Sequence, residues 1–207
     1  VWQRLLKGAL ADPASLERTP PQGDPGLRQA VADYLYGARG VQCTADQVVI
    51  GAGTDSLLSM LSYILPSRCT VAVENPVYNQ AYRLFARMGH PVRPAEIDKQ
   101  GVRVEPLEAL DNVLLYTTPS HQYPLGLSMP MGRRAKLLNW AGRGRFRYIV
   151  EDDYDSEFRY DIRPLPSLQS ADRNGRVIYL GTFSRSVAPA LRVSYMVLPP
   201  ELLALYE

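Results

Sequence analysis

Short runs of apolar and β-branched residues alternate along the chain with longer segments in which apolar positions recur every three or four residues. Short runs of this kind predict buried strands, and the longer periodic segments predict amphipathic helices. The predicted strands lie at Val48–Ile50, Thr70–Val73, Pro91–Pro94, Val113–Thr117, Tyr148–Val150, Val177–Leu180 and Val193–Leu198. The predicted helices lie at Gly26–Tyr36, Asp55–Ile64, Gln80–Met88, Pro106–Leu110 and Pro130–Ala141. This alternation indicates an α/β fold with a mostly parallel, seven-stranded sheet flanked by helices.

Two further helical patterns lie near the ends of the chain. Trp2, Leu5, Leu6 and Leu10 form an apolar stripe at helical spacing, and a second helix is predicted to begin after Pro199–Pro200. Because the stripe precedes the first predicted strand, we expect a partner subunit or another domain to cover it.

The composition is that of a globular protein without a global preference for nucleic acid. Of 207 residues, 46% are hydrophobic and 21% are charged, which allows a substantial core. Lys and Arg number 23 against 21 Asp and Glu, so the net charge is +2. No broad positive surface follows from that balance, and any contact with DNA is expected to come from elsewhere.

The cysteines and the longest apolar run bear on the compartment. Cys43 and Cys69 have no C-x-x-C spacing, so they predict neither a zinc site nor a disulfide framework. The apolar run at Leu57–Leu65 is far shorter than a membrane span. We expect a cytoplasmic protein without a metal.

The segments that follow the strands are the first candidates for a site, because ligands of parallel sheets bind beyond the carboxyl ends of the strands. These segments are unusually polar and aromatic in this chain. They are Gly51–Asp55, Glu74–Tyr78, Pro119–Pro124, Glu151–Tyr154 and Leu180–Pro199.

Two of these segments have the residue types that bind an anion. Gly53 and Thr54 open a predicted helix, where backbone N–H groups and the positive end of the helix favour a phosphate. The alternative is an ordinary turn capped by Thr54 or its neighbour. Thr182, Ser184 and Arg192 add two hydroxyls and a fixed cation, so the two segments together predict a phosphate site.

Three other strand-end residues suit an aromatic ligand. Asp152 can face a ligand nitrogen, Tyr154 offers a hydroxyl, and Tyr78 offers a ring face. The alternatives are a solvated acidic turn for Asp152 and core packing for either tyrosine.

Several segments carry a family resemblance that covers essentially the whole chain. In order and spacing, the chain resembles the aminotransferase-like domain of MocR-type bacterial transcription regulators, a subgroup of the GntR regulators. That domain is similar to fold-type I enzymes that depend on pyridoxal 5'-phosphate (PLP). The segments are GDPGLRQAVADYL, ENPVYNQAYRLF, TPSHQYPLG, EDDYDSEFRY and GTFSRSVAPALRVSYMVLP.

The resemblance implies that residues 1–207 are a PLP-binding large domain. In the family, a winged helix-turn-helix domain precedes this domain and a smaller α/β domain follows it, and we expect both to lie outside the present chain. DNA would be bound only through the winged helix. The family also implies a homodimer whose cofactor site lies at the subunit interface, near Tyr78 and Ser120–Tyr123.

The resemblance also assigns roles to the candidate residues. Asp152 would pair with the pyridine nitrogen, Tyr154 would bond to the phenolic oxygen, and Tyr78 would stack on the ring. The residues implied to surround the phosphate are Gly53, Thr54, Thr182, Ser184 and Arg192.

Two neighbouring residues have less definite roles. Tyr123 stands where ordinary aminotransferases have the Asn of an N-P-x-G motif. His121 lies near the ring or has a structural role, and we favour the structural one.

Arg185 departs from the family pattern, because it occupies the position of the Schiff-base lysine that bonds covalently to PLP. Arginine is a much stronger base than lysine and cannot supply the neutral amine for that bond. The only lysines are Lys7, Lys99 and Lys136, and none suits the role. Three explanations remain open: an engineered substitution, a regulator that holds PLP or an amino-acid adduct noncovalently, and a domain that has lost the cofactor.

The resemblance therefore leads to a sensor of PLP and of an amine or amino-acid-like ligand, without transaminase activity. The alternative is a PLP-dependent class I/II aminotransferase in which Arg185 is an inactivating substitution. A cofactor-free domain used only for dimerisation is a third possibility.

Overall fold

The computed structural model describes residues 2–13, 17–155, 157–158 and 165–206, and for Trp2 it describes the backbone alone. Within them the helices are α1 (Trp2–Ala11), α2 (Pro25–Arg39), α3 (Thr54–Ile64), α4 (Asn79–Arg87), α5 (Met131–Arg143) and α6 (Pro200–Tyr206). The strands are β1 (Val48–Gly51), β2 (Thr70–Glu74), β3 (Val92–Ala95), β4 (Ile97–Asp98), β5 (Gly101–Val102), β6 (Val113–Thr117), β7 (Arg147–Asp152), β8 (Val177–Thr182) and β9 (Ser194–Val197).

The main sheet contains all seven predicted strands in the order β1-β9-β8-β7-β6-β2-β3. Strands β8, β7, β6, β2 and β3 run parallel to their neighbours in that order. Strand β9 pairs antiparallel with both β1 and β8. The predicted α/β fold with a mostly parallel sheet is therefore confirmed, and the carboxyl ends of β6, β7 and β8 meet at one edge.

Helices cover both faces of the sheet, as a parallel sheet requires. On one face, Leu57 and Leu61 of α3 and Phe85 of α4 pack against the strands in one buried cluster. On the other face, Leu137 and Trp140 of α5 belong to a second cluster. Helix α2 contributes a third cluster over β1, β8 and β9. Since both faces are buried, the strands read as continuous apolar runs.

Two local elements differ from the sequence prediction. Glu105–Ala109 forms a 3₁₀ helix instead of the predicted α-helix, with the Leu107 N–H donating to the Val104 carbonyl at 3.0 Å. The segment is too short to nucleate α-helical bonding. Strands β4 and β5 form a separate antiparallel pair that was not predicted, because two-residue strands leave no periodic pattern.

Helix α1 presents its predicted apolar stripe to the surface. The exposed fractions of Leu5, Leu6 and Leu10 are 55%, 44% and 68%. The side chain of Trp2, the fourth member of the predicted stripe, lies outside the described part.

None of the helices in the described ranges is both long and apolar enough to cross a bilayer.

A buried ion pair fixes the segment that follows β7. Arg39, the last residue of α2, donates from Nε to Asp153 Oδ2 at 2.7 Å, and the Tyr179 hydroxyl donates to the same oxygen at 2.6 Å. Arg39 also donates to Ser120 Oγ at 2.9 Å. Burial is the largest influence and acts to lower the pKa of Arg39, but the Asp153 carboxylate, together with Tyr179 and Glu151, makes the net shift upward. The pair therefore joins α2, β7, β8 and the loop after β6.

A second buried arginine supports the same loop. Arg134 of α5 donates to the backbone carbonyl oxygens of Met129, Pro166 and Pro119 at 2.9, 2.7 and 3.1 Å. Buried guanidinium groups that bond to carbonyl oxygens keep their donors satisfied. The two arginines together hold the strand-end loops against the body of the domain.

Replacing Arg39 with Met should lower the free energy of unfolding by about 3–5 kcal/mol, because it leaves the Asp153 carboxylate buried without its cation. Urea denaturation of the full-length protein measures the loss. The matched control is the double substitution of Arg39→Met with Asp153→Asn, which should recover part of the stability because no charge is left unpaired. A single variant as stable as the double variant would contradict this account.

Candidate functional site

The strand-end residues surround one cavity of about 270 Å³, beside the start of α3 and the ends of β7 and β8. Every residue predicted for the site lines this cavity except Gly53. Gly53 is not part of the lining, but it lies against the guanidinium of Arg192. The cavity is lined by Thr54, Asp55, Tyr78, Thr118, Tyr123, Asp152, Tyr154, Thr182, Ser184, Arg185 and Arg192.

Gly53 allows Arg192 to lie against the start of α3. Gly53 has a φ of 95°, and a Cβ atom at this position would lie 2.1 Å from a guanidinium nitrogen of Arg192. A Cβ atom at this position would displace the guanidinium, and the positive φ independently favours glycine, so Gly53 allows the contact. Arg192 itself has a φ of 50°, in the left-handed region. The guanidinium and the helix N-terminus therefore present positive charge to the same end of the cavity.

Two hydroxyls lie at this end of the cavity. The Thr182 hydroxyl accepts from the Ser194 hydroxyl at 2.9 Å and from the Ser184 N–H at 3.1 Å. The Ser184 Oγ atom is buried and has no hydrogen-bond partner among the described residues. A buried hydroxyl without a partner is costly, and an anion in the cavity would relieve that cost. Backbone N–H groups, hydroxyls and a guanidinium are the groups that hold a phosphate.

Asp152 lies at the carboxyl end of β7 and is 6% exposed. Burial raises the pKa of its carboxyl to about 7, and the carboxylates of Asp153, Asp155 and Glu74 add to the rise, whereas a hydrogen bond from the Tyr116 hydroxyl opposes it. A carboxyl in this state gains most from a cationic partner, which would restore its charged form. It is suited to a ligand nitrogen that carries a proton.

Three tyrosines form the aromatic wall of the cavity. The rings of Tyr78 and Tyr123 meet edge to face at 6.3 Å, and the rings of Tyr123 and Tyr154 do so at 6.2 Å. Tyr78 and Tyr123 are 39% and 42% exposed, so both lie at the mouth of the cavity. Their faces are available to stack on a planar ligand.

His121 positions Tyr154. The Tyr154 hydroxyl donates to the His121 carbonyl oxygen at 3.1 Å, and the two rings stack at 6.1 Å. The His121 Nδ1 atom lies 2.6 Å from Asp155 Oδ2. His121 is not one of the cavity-lining residues, so in the described structure it supports a neighbour of the ligand space.

Arg185 lies inside the predicted site. Its guanidinium carbon is 4.9 Å from the centroid of the Tyr154 ring, a cation–π contact. Lys7, Lys99 and Lys136 are all exposed, and none of them lines this cavity. The position expected for an amine is therefore filled by a guanidinium, with no lysine near enough to replace it.

The sequence did not indicate some of the residues that complete the site. Tyr116, inside β6, reaches Asp152 through its hydroxyl, and no local pattern signals this contact. Thr118 follows β6 directly and lines the cavity, so its strand-end position was a usable signal. Asp55, the neighbour of Thr54 that the sequence suggests as a helix cap, also lines the cavity.

A buried carboxylate organises the loop after β6. Glu74, the last residue of β2, accepts from Thr117 Oγ1 at 2.5 Å and from the N–H and hydroxyl of Thr118 at 3.1 and 3.0 Å. Burial raises the pKa of Glu74, and these hydrogen bonds oppose the rise.

Within the described ranges, no group of three or more His, Cys, Asp or Glu side chains is arranged to hold a metal.

Sequence comparison relates the chain to transcription regulators. The HTH-type transcriptional regulator YdeL of Bacillus subtilis is 44% identical over 181 residues, which cover 87% of this chain and 39% of YdeL. The probable rhizopine catabolism regulatory protein MocR of Rhizobium meliloti is 39% identical over 181 residues, which cover 87% of this chain and 36% of MocR. The chain therefore spans well under half the length of these relatives.

Structural comparison relates the chain to aminotransferases. LysN, an α-aminoadipate aminotransferase from Thermus thermophilus solved with N-(5'-phosphopyridoxyl)-L-leucine, has a TM-score of 0.81 and is 30% identical. The match covers 92% of this chain and 49% of LysN. A model of the aminotransferase class I and II family matches residues 1–206. The chain therefore belongs to the aminotransferase class I and II family, and within it the chain resembles the aminotransferase-like part of MocR-type regulators.

Proposed function

We propose that this chain is the effector-sensing, aminotransferase-like domain of a MocR-type transcription regulator, and that it binds PLP without a covalent bond to the protein. The observation that carries the proposal is the single cavity that holds the predicted phosphate, ring and nitrogen partners together with Arg185. Loss of the cofactor would have removed the reason for a cavity of this composition.

The phosphate of PLP would bind at the cationic end of the cavity. The N–H groups at the start of α3, the hydroxyls of Thr54, Thr182 and Ser184, and the Arg192 guanidinium supply donors on several sides. The contact of Gly53 with Arg192 and the unpartnered Ser184 hydroxyl both fit a phosphate. This end provides most of the anchoring charge, so binding does not depend on a covalent bond.

The ring of PLP would bind between Asp152 and the tyrosines. Asp152 would hold a proton on the pyridine nitrogen. Burial raises the pKa of this carboxyl to about 7, and a protonated ring nitrogen beside it would stabilise the ionised carboxylate. Tyr154 would bond to the phenolic oxygen, and Tyr78 would stack on the ring. When bound, PLP supplies an aldehyde that reacts with amines and a ring that withdraws electrons.

Arg185 determines what the site does with PLP. A guanidinium is not the neutral primary amine that bonds to such an aldehyde. With Arg185 at this position the site would leave bound PLP available to a small-molecule amine or an amino acid, which is the class of effector we propose. An ordinary transaminase also needs a neutral amine of the protein to exchange with the substrate amine. The proposed domain therefore senses an amine and does not carry out transamination.

The regulator relatives support a link to transcription. We propose that DNA is bound through a winged helix-turn-helix domain outside residues 1–207, and that the protein is cytoplasmic, where it reaches DNA.

The rival function is a PLP-dependent aminotransferase with Arg185 as an inactivating substitution. A complete gene that encodes a winged helix upstream of this domain would favour the regulator.

The assembly we propose is a homodimer with a two-fold interface near the mouth of the cavity. Tyr78 and Tyr123 are exposed there, and the leucines of α1 offer an uncovered apolar surface for the partner subunit. Sedimentation of the full-length protein as a monomer at micromolar concentration would exclude this assembly.

Replacing Arg192 with Ala should weaken PLP binding to the full-length protein by about 1.5–3 kcal/mol, the range for a hydrogen bond to a charged group. Absorbance titration with PLP measures the change. Arg68→Ala is the matched control, because Arg68 is exposed and does not line the cavity. Equal losses in both variants, or no loss in either, would mean that Arg192 does not bind the phosphate.

Treatment of the PLP-loaded protein with borohydride should leave no adduct at Arg185, because a guanidinium supplies no neutral amine. The variant Arg185→Lys should gain an adduct at this position, detected by mass spectrometry of the digested protein. If the variant binds PLP and still forms no adduct at position 185, the aldehyde does not lie beside that residue. An adduct at Lys136 in the unchanged protein would move the site elsewhere.

A further inference from the structure

Arg185 has the features of a ligand-binding group. It lines the cavity, and its guanidinium carbon lies over the Tyr154 ring, 4.9 Å from the ring centroid. Among the described residues, no hydrogen bond or ion pair involves its guanidinium. A guanidinium presents five N–H donors in a planar fork, and here they are left for solvent or for a ligand.

The position of Arg185 defines the part of the ligand that it faces. In a phosphorylated pyridine such as PLP, the ring carbon at position 4 lies between the carbon with the phenolic oxygen and the carbon with the phosphate arm. The proposed function gives the phenolic oxygen to Tyr154 and the phosphate to Ser184 and its neighbours. Arg185 follows Ser184 in the chain and lies on the Tyr154 ring, so in that arrangement it would be the residue beside the substituent at position 4.

The charge of that substituent decides how it interacts with Arg185. A carboxylate accepts two parallel N–H bonds from a guanidinium. An aldehyde offers one neutral acceptor, and an aminomethyl group is protonated near neutral pH and is repelled by the fixed charge. The cavity has two acidic side chains that could offset this repulsion. Asp152 faces the ring nitrogen in the proposed site, and Asp55 adjoins Thr54 at the phosphate end.

We propose, on the basis of the proposed function, that Arg185 makes this site selective for phosphorylated pyridines with a carboxylate at or on the position-4 substituent and selects against a protonated aminomethyl group that has no carboxylate. The carboxylate can be attached to the ring itself or be carried by an amino acid joined through its nitrogen to the ring methylene. In the second ligand the nitrogen is also protonated near neutral pH, and the carboxylate balances that charge beside the guanidinium. In both ligands the guanidinium fork binds the same group. Arg185 is then a specificity-determining residue and not merely an inactivated lysine position.

The test compares ligands that share the ring and the phosphate. Binding of 4-pyridoxic acid 5'-phosphate, N-(5'-phosphopyridoxyl)-L-leucine and pyridoxamine 5'-phosphate to the full-length protein is measured by calorimetry. Each carboxylate ligand should bind about 10- to 100-fold more tightly than the amine, the range for a charge-assisted hydrogen bond. The variant Arg185→Gln should reduce this ratio to within about threefold. The exposed-residue control Arg68→Gln should keep the ratio.

The outcomes separate this inference from the proposed function. If all three ligands bind with similar affinity, or if Arg185→Gln keeps the preference for carboxylates, Arg185 does not determine the selectivity. The proposed PLP site is not affected by that result. If only one carboxylate ligand is preferred over the amine, the inference is supported, and that ligand shows whether the carboxylate lies on the ring or on a joined amino acid. If none binds, both the site and the inference fail. Inorganic phosphate binding by Arg185→Gln, measured by ³¹P NMR, verifies that the variant retains its phosphate site.

Discussion

The buried ion pair between Arg39 and Asp153 is the interaction on which the geometry of the site depends. Asp153 is flanked in the chain by Asp152 and Tyr154, so whatever fixes Asp153 also fixes the two residues that face the cavity from the end of β7. The ion pair attaches this segment to the end of α2. The hydrogen bond from Arg39 to Ser120 attaches the loop after β6 to the same residue. A buried pair of this kind adds little net stability compared with an apolar pair, but breaking it is costly. Its role here is to fix position.

The cavity separates charge along its length. Arg192 and the start of α3 make one end positive, and Asp152 provides a buried carboxyl in the part of the lining that also contains the tyrosines. A ligand with an anionic arm and a basic ring nitrogen matches this arrangement, which is the electrostatic reason for proposing PLP. Arg185 adds a second cation to the lining, at the position where the resemblance implies a lysine. In the proposed function this change removes covalent attachment and leaves the electrostatic attachment in place.

The sequence predicted the sheet and most of the candidate site because both follow from regular rules. Buried parallel strands give continuous apolar runs, and their carboxyl ends must meet at one edge, so Thr54, Asp152 and Thr182 could be expected to lie together. The relations that depend on packing could not be predicted. The hydroxyl of Tyr116 reaches Asp152 between two strands far apart in sequence, and Gly53 leaves room for the side chain of Arg192, more than a hundred residues away. The same holds for β4 and β5, whose pairing leaves no periodic signal.

The central claim is that one cavity binds a phosphorylated pyridine through charge and hydrogen bonds alone. A crystal structure of the full-length protein with PLP tests it most directly. The account predicts the phosphate between the start of α3 and Arg192, the ring nitrogen at hydrogen-bonding distance of about 3 Å from Asp152, and no covalent bond from the ligand to the protein. A phosphate bound away from Gly53 and Arg192, or a bond from the ligand to a lysine, would contradict it.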